Sequence, residues 1–403
     1  NAPFVLEEEE IEKLMELSMK RSERYRVLKN AGIDMDSIKK NFNTPTEMTV
    51  FSWSGPIDTV MTPMDSMLYY KSFLQSSLMS VETHTGHVKA YVGGNDYRFF
   101  KYDHVTQAKR QVGSTFKPFL YSLAMQEGEY TPCTKVPNIS YSIEMPDGKF
   151  WEPRDAGKSM LGEEVTLKWA LAHSNNRIST YLMKRFGPDA VIQMARRMGV
   201  TSPIESVPSI CLGVCDLSLY EMVGAMNTFA NKGVYIKPIF ITKIEDKNGN
   251  VIEYFNAEQL EAMDDVTAYK MIELMKGVVQ SGTGVRLKYK YGLRNPIAGK
   301  TGTTQNQSDG WFMGITPDLT TGVWTGAEDR AVHFRTISLG QGSNMALPIW
   351  ALYMQKVYAD STLNISQGDF EKPLSDVSLE FDCELYEQEQ SQKNTIVDEE
   401  EEF

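Results

Sequence analysis

The spacing of apolar residues changes several times along the chain, and each change predicts an element. Residues 5–31 carry a weak apolar stripe, Leu14, Met15, Leu17 and Met19, on an otherwise charged background closed by Ala31-Gly32. That pattern predicts a charged helix, followed by a short second helix from Asp34 or Asp36. Strict alternation begins near Thr46, and residues 48–53 read as a strand. Residues 63–74 read as a helix, and 78–82 and 88–92 as a hairpin turning at Thr85-Gly86. From Phe116 to about Met226 the period becomes helical, clearest over 165–172, 178–186, 189–198 and 221–230. A second hairpin is predicted over 239–245 and 251–255 around Asn248-Gly249, then a helix over 266–279 that stops at Ser281-Gly282-Thr283-Gly284. Three strands, 297–303, 310–315 and 321–327, and a helix over 348–358 complete the periodic part.

Strands on either side of a mainly helical insert imply one sheet assembled from distant segments. Hairpin connections make it antiparallel. The predicted fold class is therefore α+β: an antiparallel sheet of about five strands covered by helices, with an all-helical lobe. Three segments follow: a helical linker over 1–45, one large domain over 46–360, and an acidic tail over 361–403 that loses periodicity and reads as disordered.

Charge and composition narrow the partners. A net charge of -12 with no basic cluster argues against nucleic acid, whose phosphates demand concentrated Lys and Arg. Cys133, Cys211, Cys215 and Cys383 form no CxxC pair and read as buried free thiols; Cys211 and Cys215 lie four apart in a small apolar segment. The histidines, His84, His87, His104, His173 and His333, make no ligand pattern, so neither a metal nor a cofactor is expected. No stretch reaches the roughly 18 apolar residues of a membrane span. The chain starts at Asn1 without an initiator Met, so any export signal or anchor is expected upstream of residue 1.

Three short motifs carry chemistry. In Gly113-Ser-Thr-Phe-Lys-Pro118, Ser114 and Lys117 fall on one face of a helical turn, and Pro118 fits only a first turn. Ser114 is thereby set at a helix N-terminus, where the dipole favours an oxyanion and, with burial, a neutral Lys117 able to act as base. Alone, Ser-x-x-Lys is common by chance. Ser174-Asn175-Asn176 follows between two predicted helices; it suits capping, and equally suits proton relay by Ser174 and carbonyl orientation by Asn176. Lys300-Thr301-Gly302-Thr303 lies on a predicted strand with too little apolar side chain for an ordinary core strand. Thr301 and Thr303 share a face, Lys300 adds charge, and Gly302 admits close backbone approach, a combination suited to a carboxylate.

The order Ser-x-x-Lys, Ser-x-Asn, Lys-Thr-Gly is a known signature of penicillin-binding proteins and class A β-lactamases. Further segments strengthen it: Met61-Thr-Pro-Met-Asp-Ser66, Val88-Lys-Ala-Tyr-Val-Gly-Gly94, Tyr102-Asp-His104, Gln111-Val-Gly-Ser-Thr-Phe-Lys-Pro-Phe119 and Asp309-Gly-Trp-Phe-Met-Gly314. From about residue 20 to 358 the chain resembles the transpeptidase part of bifunctional class A penicillin-binding proteins, with Ser22-Glu-Arg-Tyr-Arg26 similar to the link between that family's two catalytic domains. One departure is Asp155, where the family usually has Asn.

The resemblance implies a peptidoglycan D,D-transpeptidase of the penicillin-binding-protein/β-lactamase-like fold. Ser114 would attack the bond between two terminal D-alanines, Lys117 would take its proton, and Ser174 with Lys300 would relay a proton to the leaving D-alanine. Lys300 would act mainly as a cation. The amides of Ser114 and Thr303 would form the oxyanion hole, Thr301, Gly302 and Thr303 the carboxylate subsite, and Asn176 would orient the donor. Implied partners are stem peptides, β-lactam antibiotics, accessory proteins of wall synthesis, and a membrane reached through an anchor outside this chain, on the extracytoplasmic side. The alternatives are a D,D-carboxypeptidase and a β-lactam sensor without turnover. A class A β-lactamase is disfavoured, because the deacylating Glu-x-x-x-Asn has no counterpart near residues 208–213.

Overall fold

Pairing between segments more than two hundred residues apart creates the central layer. The computed structural model describes residues 6–127, 130–145, 147–153, 159–375, 381 and 383. One five-stranded sheet runs in the order Ala298–Thr303, Asp309–Ile315, Leu319–Ala327, Leu74–Glu82, Val88–Val92, every pair antiparallel. Strands Asp309–Ile315 and Leu319–Ala327 are buried at every position, so both faces are covered. A side chain at Gly322 would run into Leu219 and Val223 of helix Leu219–Ala230, and one at Gly314 into Trp350 of helix Leu347–Ala359. The register sets Gly314 beside Thr321, so these two glycines look to opposite faces, and the two helices are the covers. Inside the sheet, Ser80 and Thr321 share a 2.7 Å hydroxyl bond.

The insert forms the helical lobe, with Lys117–Gln126, Leu167–Ala172, Asn176–Phe186 and Pro188–Arg197 around one core that continues into the sheet. Side-chain caps set several starts: Thr166, Asn175, Ser218 and Asp264 each accept from a backbone amide of the helix they precede. Helix Asp265–Gln280 packs on both the lobe and strand Ala298–Thr303.

The fold class agrees with the sequence pattern, with local differences. The single helix expected over 5–31 is two, Glu8–Arg21 and Glu23–Asn30, because Ser22 leaves helical geometry and caps the second. The first sheet strand starts at Leu74, four residues early, directly after helix Pro63–Lys71. Residues 164–166 form a short strand paired with Lys135–Pro137 ahead of helix Leu167–Ala172. Asp155 lies outside the described residues. Among the described residues no helix is long and apolar enough to cross a membrane.

The largest correction concerns the end of the chain. Residues 361–375 follow the domain surface rather than leave it. Phe370 is buried, Asp369 accepts from Lys276 Nζ at 3.0 and 3.1 Å, and Ser366 donates its amide to Asp318. Phe381 meets the ring of Tyr269 at 5.4 Å, and Cys383 is disulfide-bonded to Cys133. A few anchors spaced irregularly, plus one covalent bond, need no periodicity, which is why the pattern of residues did not reveal them. Residues 384–403 lie outside the described residues.

The remaining two cysteines do match expectation: Cys211 and Cys215 are free and buried, and burial pushes both thiols up to about 12. Denatured but unreduced protein should therefore titrate two of its four thiols with a disulfide-exchange reagent. Cys383→Ser should lower unfolding free energy by about 2–5 kcal/mol in urea. Four reactive thiols before reduction would contradict the bond.

Candidate functional site

The site forms where three segments meet at the outer strand of the sheet. The first enters from strand Arg110–Gln111, which pairs with Asp216–Leu217, and winds through a 3-10 turn, Gly113–Phe116, into helix Lys117–Gln126. Ser114 lies in that turn rather than in the helix proper, half-buried, and its carbonyl accepts from the Lys117 amide. Pro118 stands in the first helical turn, as its missing amide hydrogen requires.

That turn is held by backbone packed on backbone. Gly113 has φ +54, and a Cβ there would meet Thr303 O at 2.8 Å and Thr303 N at 3.3 Å. On its other side a Cβ at Gly213 would sit 1.9 Å from Gly113 O, and the Gly113 amide donates to Gly213 O at 3.1 Å. Gly302 is equally constrained, since its Cβ would meet Val112 O at 2.8 Å. The close approach expected from Gly302 is thus present.

The second segment is the bend at Ser174, between helices Leu167–Ala172 and Asn176–Phe186. Ser174 has φ +56, a left-handed conformation that costs a non-glycine residue energy and turns its carbonyl inward. Lys117, fully buried, donates from Nζ to Ser174 O at 2.5 Å, Asn176 Oδ1 at 2.7 Å and Asn175 O at 3.2 Å, with Ser174 Oγ at 3.3 Å. The third segment is strand Ala298–Thr303. Lys300, also fully buried, donates from Nζ to Ser174 Oγ and to Thr301 O, both at 3.0 Å.

Ser174 Oγ therefore lies between two buried lysines. Burial first, and then the charge of Lys117, hold Lys300 well below its ordinary ammonium range. Helix Asp265–Gln280 packs against the strand that carries Lys300.

The structure brings Lys117, Ser174, Asn176 and Lys300 into one hydrogen-bonded cluster. Thr301 and Thr303 are engaged elsewhere on the strand. Thr301 Oγ1 lies 2.7 Å from Thr283 Oγ1, and Thr303 Oγ1 accepts the Gly342 amide at 3.0 Å. Sequence reasoning missed three residues here. Thr283 was read only as part of a helix stop. Gly213 sits in no motif. Asn138, fully buried, bonds the side chain of Asn175; nothing in its sequence neighbourhood announces that contact.

Chemically, the arrangement offers a half-buried hydroxyl on a turn, two buried lysines joined by a second hydroxyl, and an outer strand bearing threonines. These are the parts of a serine acyl-transfer site.

Comparison with known proteins agrees. Residues 77–328 match the family model described as the penicillin binding protein transpeptidase domain, and residues 1–74 match the penicillin-binding protein middle domain. Penicillin-binding protein 1A of Aquifex aeolicus is 34% identical over 307 residues, covering 74% of this chain and 40% of that protein. The chain thus spans well under half the length of this curated relative. Among solved structures, the penicillin-binding protein PonA1 from Mycobacterium tuberculosis superposes with a TM-score of 0.61 at 26% identity, over 75% of this chain and 81% of that one. PonA1 in complex with penicillin V gives 0.60 at 23%, over 89% and 96%.

The packing makes a stability prediction. Gly213→Ala should destabilise the protein by about 2 kcal/mol or more, because the new Cβ meets backbone and the φ of +75 is unfavourable for alanine. Gly277→Ala, in helix Asp265–Gln280 with its nearest contact at 3.6 Å, should instead gain up to about 1 kcal/mol. Equal melting temperatures for both variants would show that the Gly113–Gly213 contact is looser than described.

Proposed function

The chain belongs to the penicillin-binding protein transpeptidase family, and on that premise we propose that it carries the D,D-transpeptidase activity that cross-links peptidoglycan stem peptides. The observation that carries the reading is the cluster in which Ser174 Oγ joins Lys300 to Lys117, the latter three residues along the chain from Ser114.

In this reading Ser114 Oγ attacks the carbonyl of the penultimate D-alanine. A carbon–oxygen ester bond forms, the peptide bond breaks, and D-alanine leaves. Lys117 takes the hydroxyl proton, and Ser174 passes a proton to the departing amine. The two lysines hold one proton between them before substrate arrives. The oxygens around Lys117 favour its ammonium form, while burial favours a neutral Lys300. A substrate carboxylate docking beside Thr301 and Thr303 reverses that preference, because a negative charge stabilises an ammonium at Lys300. The proton crosses through Ser174, and Lys117 becomes the neutral base. Asn176 orients the donor peptide, and the amides of Ser114 and Thr303 stabilise the oxyanion, each donor in such a hole being worth on the order of 100-fold or more in rate. An amine from a second stem then displaces Ser114 and completes the cross-link.

β-Lactams enter the same site as mimics of the D-Ala-D-Ala end and acylate Ser114. PonA1 with penicillin V supports this. The location at the extracytoplasmic face of the membrane, with attachment through residues outside this chain and accessory proteins of wall synthesis as partners, is part of the same reading. The Cys133–Cys383 disulfide supports an oxidising compartment.

The test is covalent labelling followed by product analysis. A fluorescent penicillin should label the wild-type chain stoichiometrically and leave Ser114→Ala unlabelled at an unchanged melting temperature. Nascent glycan substrate should yield cross-linked muropeptide dimers by mass analysis. Labelling of folded Ser114→Ala would overturn the nucleophile, and trimmed monomers as the sole product would make the chain a carboxypeptidase.

A further inference from the structure

We infer that Asn138 is a positioning residue for the base Lys117, acting through the side chain of Asn175; the inference rests on the acyl-transfer reading above. Asn138 stands just after the short strand Lys135–Pro137 and is fully buried, where an amide side chain is retained only when its polar atoms are satisfied. They are. Its Nδ2 donates to Ser159 O at 3.1 Å and Met160 O at 2.8 Å, and its Oδ1 accepts from Asn175 Nδ2 at 3.0 Å. Its backbone closes the same loop, donating to Glu163 O at 2.8 Å and accepting from the Gly162 amide at 3.0 Å. Because Nδ2 is committed to two carbonyls, the amide orientation is fixed, and Oδ1 can only accept.

Asn175 is the residue this fixes. Its Oδ1 caps helix Asn176–Phe186 through the Ile178 amide at 3.0 Å, which leaves Nδ2 as the free end that Asn138 takes. With both ends of its amide bound, Asn175 cannot rotate. Its backbone carbonyl accepts from Lys117 Nζ, and its neighbours Ser174 and Asn176 supply the other oxygens around that nitrogen. The bend there contains the left-handed Ser174, a conformation that persists only where the surroundings over-determine it. The asparagine pair provides that restraint. It also ties the bend to the backbone of Ser159, Met160, Gly162 and Glu163.

The bond can be cut from either end. Asn138→Ala removes the acceptor. Asn175→Ser removes the donor while keeping a hydroxyl cap for the following helix. Stopped-flow acylation by a penicillin separates the first-order step from the dissociation constant of the preceding complex. Each single variant should slow the first-order step about ten-fold and leave the dissociation constant within about two-fold, as expected when a buried hydrogen bond orients a base without touching the ligand. The double variant should be no slower than the worse single, since both remove one bond. If Asn138→Ala does not fold, Asn175→Ser alone decides. An unchanged first-order step in either folded single variant, losses that multiply in the double, or a loss confined to the dissociation constant would overturn the inference. Amide exchange over residues 173–178 reads the same bridge without chemistry and should quicken at least ten-fold in Asn175→Ser. If wild-type protein is not acylated at all, the acyl-transfer reading fails, and unchanged exchange would separately sink the bridge.

Discussion

Two lysine side chains buried around a single hydroxyl are the constraint on which the rest of this structure depends. Both Nζ atoms bond Ser174 Oγ, so they are no farther apart than the sum of bonds of 3.3 and 3.0 Å. Two unit charges about 6 Å apart repel by roughly 3 kcal/mol at an effective dielectric near 20, and burial adds a penalty for each. One proton shared between two nitrogens removes the repulsion and one of the two burial penalties. In the mechanism we propose, that sharing makes Lys117 a base held charged at rest and released when a carboxylate binds. The hydroxyl between them makes the exchange a short transfer rather than a diffusion through solvent.

Keeping that cluster dry and aligned is the task of elements far apart in the chain. Lys117 arrives on a helix, Ser174 on a strained bend and Lys300 on the outer strand of the sheet. Helix Asp265–Gln280 packs against both strand and lobe, and the Thr283 amide donates to Ala172 O just ahead of the bend. Backbone contact among Gly113, Gly213 and Thr303 sets the nucleophile turn against the strand. After Asp360, Asp369 bonds Lys276 and Phe381 meets Tyr269, both on the same helix, and Cys383 is disulfide-bonded to Cys133. The terminal strap therefore braces the element that positions Thr283.

Much of the fold was legible because its signals are local. Glycine and proline mark the turns, and period switches mark the insert. The strands at 298–303, 309–315 and 319–327 lie within two residues of the expected 297–303, 310–315 and 321–327, with Pro317-Asp318 marking the turn between the last two. The motif residues were legible for a different reason: Ser-x-x-Lys, Ser-x-Asn and Lys-Thr-Gly have chemistry that ordinary core positions lack. What stayed hidden depends on distance in the fold. Asn138 meets Asn175 across 37 residues, and Cys133 meets Cys383 across 250, with no periodicity to report either contact.

The shared proton is the central claim, and it can be observed directly. Lysine labelled with carbon-13 at the ε position reports the state of each amine by NMR, with Lys117→Met and Lys300→Met identifying the two signals. At neutral pH the account predicts that Lys300 shows the shift of a neutral amine while Lys117 shows that of an ammonium. Acylating Ser114 with a penicillin that carries a free carboxylate should move the charge toward Lys300. Two ammonium signals that persist from pH 6 to 9, with and without the acyl group, would contradict the account.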